Sequence, residues 1–300
     1  MFPRAQALLS SFPYSARAMS SALRRPATET GAVRDPARSQ EISDETAIAF
    51  LKEHPAPGAD VVLVIPAFNE EESVADVIKT VPPTICGLPV ETIVVDDGSR
   101  DDTTAQAKEA GALVCTLPIN LGQGAAFRLG YRVARERGAK IICTADADGQ
   151  FDPQELPALV GPIVAGEADF VNGSRRLGLT HNTDPVRNLG VVVFATLMSV
   201  LTGTKITDPS NGLRAFRSEI TATVKLKQTQ YQTSEMLINT IAYGFKVKEV
   251  PATMYKRAAG ESKKGGNLIY GARFARVLLT TWWRLRPVAK QHLPAGQGLW

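Results

Sequence analysis

Two aspartates and a glutamine occupy alternate positions where an apolar segment of the chain ends. Residues 140–145 are mostly aliphatic or β-branched, and Asp146, Asp148 and Gln150 follow them. Alternate residues of an extended segment project the same way, so these three oxygen-bearing side chains should converge at the end of a strand. Such ligands suit Mg²⁺ or Mn²⁺, and a partial protein shell leaves room for a diphosphate. The other interpretation is an acidic turn, because Asp and Gly both favour turns.

Two further predicted strands also end in polar residues. The segment at residues 61–65 leads into Pro-Ala-Phe-Asn-Glu at 66–70, and the segment at residues 92–95 leads into Asp-Asp-Gly-Ser at 96–99. In an open parallel sheet, ligands bind outside the carboxyl ends of the strands. The three segments therefore predict one crevice at this edge of the sheet.

From residue 60 the chain alternates strand and helix patterns, which predicts an α/β fold with an open sheet. We expect helices at residues 71–80, 101–110 and 122–137, another that begins near Pro153, and strands at 113–116 and 168–171. The longest apolar run, residues 189–201, is too short for a bilayer core of about 30 Å. It predicts a packed or interfacial helix.

The ordered motifs at residues 66–70, 96–99, 120–124 and 146–148 resemble those of the family 2 glycosyltransferases with the GT-A fold. Further motifs at residues 173–175, 210–214 and 257–263 are most similar to those of polyprenyl-phosphate (dolichyl-phosphate) hexosyltransferases. The resemblance covers roughly residues 60–265. It implies a Rossmann-like, open, mostly parallel sheet flanked by helices.

The resemblance also implies roles for individual residues on the donor side. Asp146, Asp148 and Gln150 would hold the metal, with Asp148 essential for catalysis. The expected donor-site residues are Pro66, Ala67, Glu70, Asp96, Asp97, Gly124, Asp146 and Ala147, with Asp97 accepting hydrogen bonds from a ribose or a base. The further binding residues Arg214, which is expected in a Gly-containing loop, Arg257 and Lys263 would offer cations to the acceptor side. Two alternatives stay open. Glu70 can also stabilise the start of a helix through the helix dipole. The glycines at residues 122–124 either let backbone amides bind an anion at the helix start or only allow a tight turn from strand to helix.

On the acceptor side, Arg175, Arg187 and Arg257 match residues that bind an acceptor phosphate in the resembling family. Guanidinium groups pair bidentately with phosphate oxygens, so the set suits a phosphorylated acceptor. A lipid phosphate is already anionic and can attack without a general base, whereas a sugar hydroxyl needs one. Glu235 is the candidate base, and its alternative role is that of a helix-start glutamate, with Thr233 or Ser234 as the cap of a helix at residues 236–243.

Composition limits the class of protein. The chain has 300 residues, of which 44% are hydrophobic and 21% charged, and a formal net charge of +4, which fits one folded domain. Basic residues cluster before residue 40 and after residue 246, but no nucleic-acid-reading element accompanies them, so we expect no nucleic-acid partner. Three scattered cysteines are typical of reduced thiols in a cytosolic protein.

The predicted organisation has five parts. These are a disordered tail at residues 1–45, a short helix and linker at 46–59, the GT-A domain at 60–265, a basic amphipathic helix at 266–286 and a flexible tail at 287–300. The amphipathic helix either lies on an anionic membrane or packs on the domain, and we favour the membrane. The expected location is peripheral, on the cytoplasmic face.

Taken together, the residues and the resemblance predict an inverting, metal-dependent transferase. It would move a hexose from GDP-mannose or UDP-glucose to a polyprenyl phosphate. One alternative acts on a glycan or a small hydroxylated acceptor, and another is a nucleotide-sugar-binding protein without turnover. A nucleotidyltransferase would carry a basic, Gly-rich loop directly after the first strand, and residues 66–70 are not such a loop.

Overall fold

The computed structural model describes residues 35–181, 185–228, 230–256 and 267–300. Among these residues, eight strands form one sheet. The strands are β1 Val61–Ala67, β2 Thr84–Ile85, β3 Leu88–Asp96, β4 Leu113–Thr116, β5 Ile141–Thr144, β6 Phe170–Ser174, β7 Arg214–Arg217 and β8 Val247–Pro251. The described helices are α1 Pro36–Glu53, α2 Val74–Lys79, α3 Thr103–Glu109, α4 Gln123–Glu136, α5 Leu156–Val164, α6 Pro185–Thr202, α7 Ile220–Thr223, α8 Gln232–Ala242 and α9 Asn267–His292.

The order of the strands brings most of their carboxyl ends to one edge of the sheet. The path runs β2, β3, β1, β5, β7, β6, β8, with β4 on the other side of β3. Strand β1 is parallel to both β3 and β5, while β7 lies antiparallel between β5 and β6. Because β7 is antiparallel to both neighbours, β6 runs in the same direction as β5, and β8 is parallel to β6. The edge predicted from the sequence is confirmed, and β7 begins there, with Arg214 opposite Thr144.

Both faces of the central strands are covered by helices. All seven residues of β1 are buried, and alternate side chains belong to different hydrophobic clusters. Val62 and Val64 pack in one cluster, and Leu63 and Ile65 pack in the other. Each fully buried aliphatic side chain contributes roughly 1.5–3 kcal/mol. Helix α4 lies very close to the sheet, because a Cβ at Gly130 would be 2.4 Å from a methyl carbon of Val64.

The predicted N-terminal boundaries are wrong. Helix α1 begins at Pro36, inside the segment predicted as a disordered tail, and Asp35 caps it by accepting a hydrogen bond from the amide of Ala37 at 2.9 Å. Proline is well suited to the first turn of a helix, and Ile42 and Phe50 are buried, so packing extends the helix into the segment predicted as tail. Residues 1–34, which complete that predicted tail, lie outside the described part.

The predicted C-terminal boundary is also wrong. Helix α9 continues through Pro287 to His292, and the residues after it fold back onto the end of α6. The amide of Leu299 donates to the carbonyl of Leu201 at 3.0 Å, and the indole of Trp300 donates to the carbonyl of Thr202 at 3.3 Å. These contacts join positions far apart in the sequence, which a local pattern does not reveal. In the ranges that the structure covers, every helix is too short or too polar to cross a bilayer.

Candidate active site

The loops after β1 and β3 are joined into one wall at the shared edge. The amide of Asn69 donates to the Ser99 hydroxyl at 2.9 Å, and the amide of Arg100 donates to Asn69 Oδ1 at 3.0 Å. The amide of Glu70 donates to the Thr103 hydroxyl at 2.8 Å. A carboxylate oxygen of Glu70 accepts from Ser73 at 3.3 Å, so this predicted pocket residue also stabilises the turn before α2.

Asp97 fastens the start of α4 to the end of β3. Its two carboxylate oxygens accept hydrogen bonds from the amides of Leu121 and Gly122 at 2.7 and 2.8 Å. The residue is only 3% exposed, and this burial raises the pKa of Asp97 to about 7, against the lowering effect of the two amides. Its predicted contact with a ribose or base stays a prediction.

Asp96 has a similar local role one residue earlier. One carboxylate oxygen accepts from the amide of Ser99 at 2.8 Å, and the other accepts from the Thr104 hydroxyl. The side chain is buried. The Asp-Asp pair therefore shapes the turn that leaves β3.

Asp146 follows β5 and lies between two other loops. Its Oδ1 is 3.3 Å from Nε2 of Gln123, the first residue of α4. Its Oδ2 lies against Gly212, where an added Cβ would be 2.7 Å away. Only glycine at position 212 leaves this carboxylate in its place, which explains the glycine in the segment that leads to β7.

Asp148 completes the acidic turn. It is 6% exposed, its Oδ1 accepts from the amide of Gln150 at 3.0 Å, and the carbonyl of Gln150 accepts from the amide of Tyr255 at 2.9 Å. Within the described ranges, no group of three acidic, histidine or cysteine side chains could hold a metal. The carboxylates of Asp146 and Asp148 and the side-chain amide of Gln150 are still the type of ligand that suits a hard cation, which would take its remaining ligands from a substrate or water. We refer to Asp96, Asp97, Asp146 and Asp148 as the acidic edge.

Arg175 leaves β6 at the same edge and is bound to a buried acid. Its Nε and one terminal nitrogen each lie 2.6 Å from an oxygen of Asp208, which is fully buried, and the same terminal nitrogen donates to Ser210 at 2.8 Å. Glu249, in strand β8, accepts a hydrogen bond from the amide of Asp208 at 3.1 Å and so holds the loop that contains Asp208. Sequence reasoning missed Asp208 and Glu249, because each lies far from its partners along the chain.

Arg214 is buried beneath the acidic turn. Its guanidinium donates to the carbonyl of Asn211 at 2.8 Å and to the carbonyl of Thr233 at the start of α8. Burial lowers the pKa of Arg214 to about 10. The structure corrects the predicted position of this residue, which begins a strand and does not lie in a loop. Its contact with an acceptor phosphate stays a prediction.

Glu235 is fully buried and holds three partners. It accepts from the amides of Lys227 and Gln228 at 2.9 and 2.8 Å, and it forms an ion pair with Arg284 of α9 at 2.8 Å. Helix α8 begins at Gln232, so the predicted cap at Thr233 or Ser234 is wrong; the N-cap is Tyr231, which makes no side-chain capping bond. We refer to Arg175, Asp208, Arg214, Glu235 and Arg284 as the arginine cluster.

The remaining predicted residues fall into two groups. Pro66, Ala67, Gly124 and Ala147 are buried near the edge and offer mainly backbone atoms to a ligand. Arg257 and Lys263 lie outside the described residues, as does the side chain of Arg187. Their assignments stay predictions.

Known proteins are similar to this chain in sequence and in fold. The model of the family described as glycosyl transferase family 2 matches residues 62–224. The polyprenol monophosphomannose synthase of Mycolicibacterium smegmatis is 33% identical over 230 residues, covering 73% of this chain and 86% of that protein. The undecaprenyl-phosphate mannosyltransferase of Micrococcus luteus is 30% identical over 220 residues, covering 70% and 89%.

Among solved structures, glucosyl-3-phosphoglycerate synthase from Mycobacterium tuberculosis, in complex with Mn²⁺, UDP and phosphoglyceric acid, matches with a TM-score of 0.60. The identity is 22%, over 85% of this chain and 84% of that one, which supports the GT-A fold alone. The family model, by contrast, covers more than half of the sequence, from residue 62 to residue 224. The chain is an enzyme of glycosyltransferase family 2.

Proposed function

We propose that the enzyme transfers a hexose from a nucleotide diphosphate sugar to a polyprenyl phosphate with inversion at the anomeric carbon, using Mg²⁺ or Mn²⁺. The observation that carries the metal part is the way the acidic edge is held. Asp97 and Asp148 accept hydrogen bonds from backbone amides, and Asp146 contacts the neutral amide of Gln123. These contacts orient the carboxylates at the edge of the sheet where a nucleotide would bind.

In the proposed reaction, an oxygen of the acceptor phosphate attacks the anomeric carbon. The bond from that carbon to the diphosphate breaks, and the nucleoside diphosphate leaves with the bonding electrons. A divalent ion bound by Asp146 and Asp148, with Gln150 as a further ligand, would neutralise charge on the departing diphosphate. The wall made by residues 66–70 and 96–103 would orient the nucleoside.

The environment of Glu235 supports a phosphate acceptor over a hydroxyl acceptor. A hydroxyl nucleophile requires a carboxylate within hydrogen-bond reach of its proton. Glu235 is fully buried and bonded to Arg284 and to two amides, so it is poorly placed for that role. A phosphate monoester is anionic near neutral pH and needs no such base. The similar mannosyltransferases, named for polyprenol and undecaprenyl-phosphate substrates, support the same choice.

We also propose that the enzyme reaches its lipid by lying on the membrane. Helices α6 and α9 pack together through Phe194 and Phe274, whose ring centroids are 4.4 Å apart. Large apolar side chains on the two helices remain exposed, among them Val193 at 52% and Trp283 at 65%. Exposed arginines of α9, including Arg276, would complement anionic lipid. Free thiols at all three cysteines suit the cytoplasmic face.

The test is a transfer assay with purified enzyme. GDP-mannose and UDP-glucose are each offered with Mn²⁺, with Mg²⁺ or with a chelator, and the acceptors are a polyprenyl phosphate and the matching free polyprenol. We expect product on the phosphate alone, lost with the chelator, with the anomeric configuration opposite to that of the donor. Product on the polyprenol alone would overturn the acceptor assignment, and donor binding without transfer would favour the non-catalytic alternative.

A further inference from the structure

A short segment after β8 lies between two loops of the site. We refer to residues 252–255 as the strap. The amide of Ala252 donates to the carbonyl of Ser174 at 3.0 Å, and the amide of Met254 donates to the carbonyl of Leu179 at 2.9 Å. These two bonds fasten one edge of the strap to the end of β6 and to the loop that follows it.

The other edge of the strap is bound to the loop after β5. The amide of Tyr255 donates to the carbonyl of Gln150 at 2.9 Å. Both carboxylate oxygens of Glu155 accept from the amide of Thr253, at 3.1 and 3.0 Å. Successive residues of an extended chain point in opposite directions, so the strap binds both loops at once. Glu155 thus adds a side-chain contact between the strap and the loop of the acidic turn.

The strap packs closely on the loop that contains Arg175. A Cβ at Gly178 would be 2.7 Å from the amide nitrogen of Ala252, so only glycine allows this approach. A terminal nitrogen of Arg175 lies 3.5 Å from the sulfur of Met254. Ala252 and Met254 are both buried. The strap therefore forms one packed unit with the loop of Arg175, and Glu155 connects that unit to the acidic turn.

We propose that Glu155 is a positioning residue, which holds the acceptor side of the site at a fixed distance from the donor side through the strap; this inference rests on the proposed function. Transfer requires the attacking oxygen and the anomeric carbon to be aligned within about 3–3.5 Å. Arg175 would hold the acceptor phosphate and the acidic turn would hold the diphosphate, so the distance between them decides that alignment. Without the Glu155 carboxylate, each loop keeps its own groups but their spacing is loosened. Each substrate should still bind, while the rate of transfer should fall.

The experiment separates turnover from nucleotide binding. Binding sites are counted by calorimetric titration with GDP and with UDP, and the rate of sugar transfer to polyprenyl phosphate is expressed per site. We expect Glu155→Ala to lower this rate at least about tenfold, with the nucleotide dissociation constant within about twofold of the wild type. Glu155→Gln keeps one oxygen that can accept from Thr253 and should recover most of the rate.

Glu167→Ala is the matched control. Glu167 lies beyond the other end of α5 and also contacts β8, through Lys248 at 2.7 Å, but this pair is exposed and is made near the start of the strand. The control should transfer sugar at the wild-type rate. Thermal unfolding of each variant checks that the fold is intact.

The outcomes separate this inference from the proposed function. An unchanged rate per site in Glu155→Ala would overturn the role of Glu155 while the transferase proposal stands. Loss of nucleotide affinity along with the rate would show that Glu155 supports the donor side alone, and would also overturn it. A glutamine variant as slow as the alanine variant would assign the effect to charge and not to spacing, with the same consequence. If the wild type forms no lipid-linked product, the proposed function fails, and this inference fails with it.

Discussion

The acidic edge and the arginine cluster hold their carboxylates by different means. Asp97 and Asp148 at the acidic edge accept from backbone amides, which carry no net charge. In the arginine cluster, Asp208 is paired with Arg175, and Glu235 with Arg284. The difference separates two uses of the same residue type. Backbone amides orient the carboxylates of the acidic edge, while the ion pairs of the arginine cluster form the framework that supports the site.

The largest effect is expected at the acidic edge. Asp148→Asn should lower turnover at least about a thousandfold, because it removes a charge that the metal requires, with little change in unfolding temperature. Initial rates of sugar transfer and a thermal melt provide the measurement. Asp76→Asn, on the exposed side of α2, is the control and should leave the rate unchanged. A rate within tenfold of the wild type would remove Asp148 from the site.

The second effect is expected within the arginine cluster. Glu235→Ala should destabilise the fold by about 3–5 kcal/mol, because it leaves Arg284 and two amides without their buried acceptor. Urea denaturation measures the loss. Remaining turnover should follow the folded fraction. A variant as stable as the wild type with turnover lost more than about a hundredfold would restore Glu235 as the general base.

A smaller effect is expected where the cluster would meet the acceptor. Asp208→Asn weakens the pair that orients Arg175, so the KM for polyprenyl phosphate should rise about tenfold while the KM for the donor stays constant. Steady-state kinetics with each substrate varied in turn test this. Asp169→Asn is the control, since it disrupts a more exposed pair with Arg217. A change confined to the donor KM would place Arg175 on the donor side.

The smallest effect concerns pH. Burial raises the pKa of Asp97 from 3.8 to about 7, so the folded state keeps this proton more tightly than the unfolded state does. The stability that this group contributes is complete below pH 3.8 and is lost as the pH rises through about 7. Relative to Asp97→Asn, the wild type should therefore lose stability between about pH 4 and pH 7. Denaturation at a series of pH values measures the difference, and parallel curves would contradict the assignment.

The elements that have a clear local pattern of apolar and polar residues could be predicted from the sequence. Strands β1 and β5 and the C-terminal half of β3 are mostly apolar and are followed by polar turns, and these patterns predict the shared edge. The local pattern does not predict the antiparallel strand β7, because its pairing with β5, including Arg214 opposite Thr144, joins positions far apart in the sequence. The packed C-terminal residues were missed for the same reason.

The site shows the same limit. The types and spacing of Asp146 and Asp148 predict a metal site at the end of a strand, with an acidic turn as the alternative, and in the structure both residues follow the end of β5. What spacing did not reveal is which groups hold each side chain. Arg175 looked like a cation available to a phosphate, yet it is bidentate with Asp208, thirty-three positions away in the chain. Buried partners at such separations are set by tertiary packing, which one sequence read along its length does not contain.

The bare α-carbon of Gly212 has a practical consequence. Because a methyl group there would press on Oδ2 of Asp146, Gly212→Ala should displace one carboxylate while every charged group of the protein is retained. Such a variant would present an unchanged electrostatic surface to lipids and nucleotides. It offers an inactive reference protein in which loss of product reflects geometry alone.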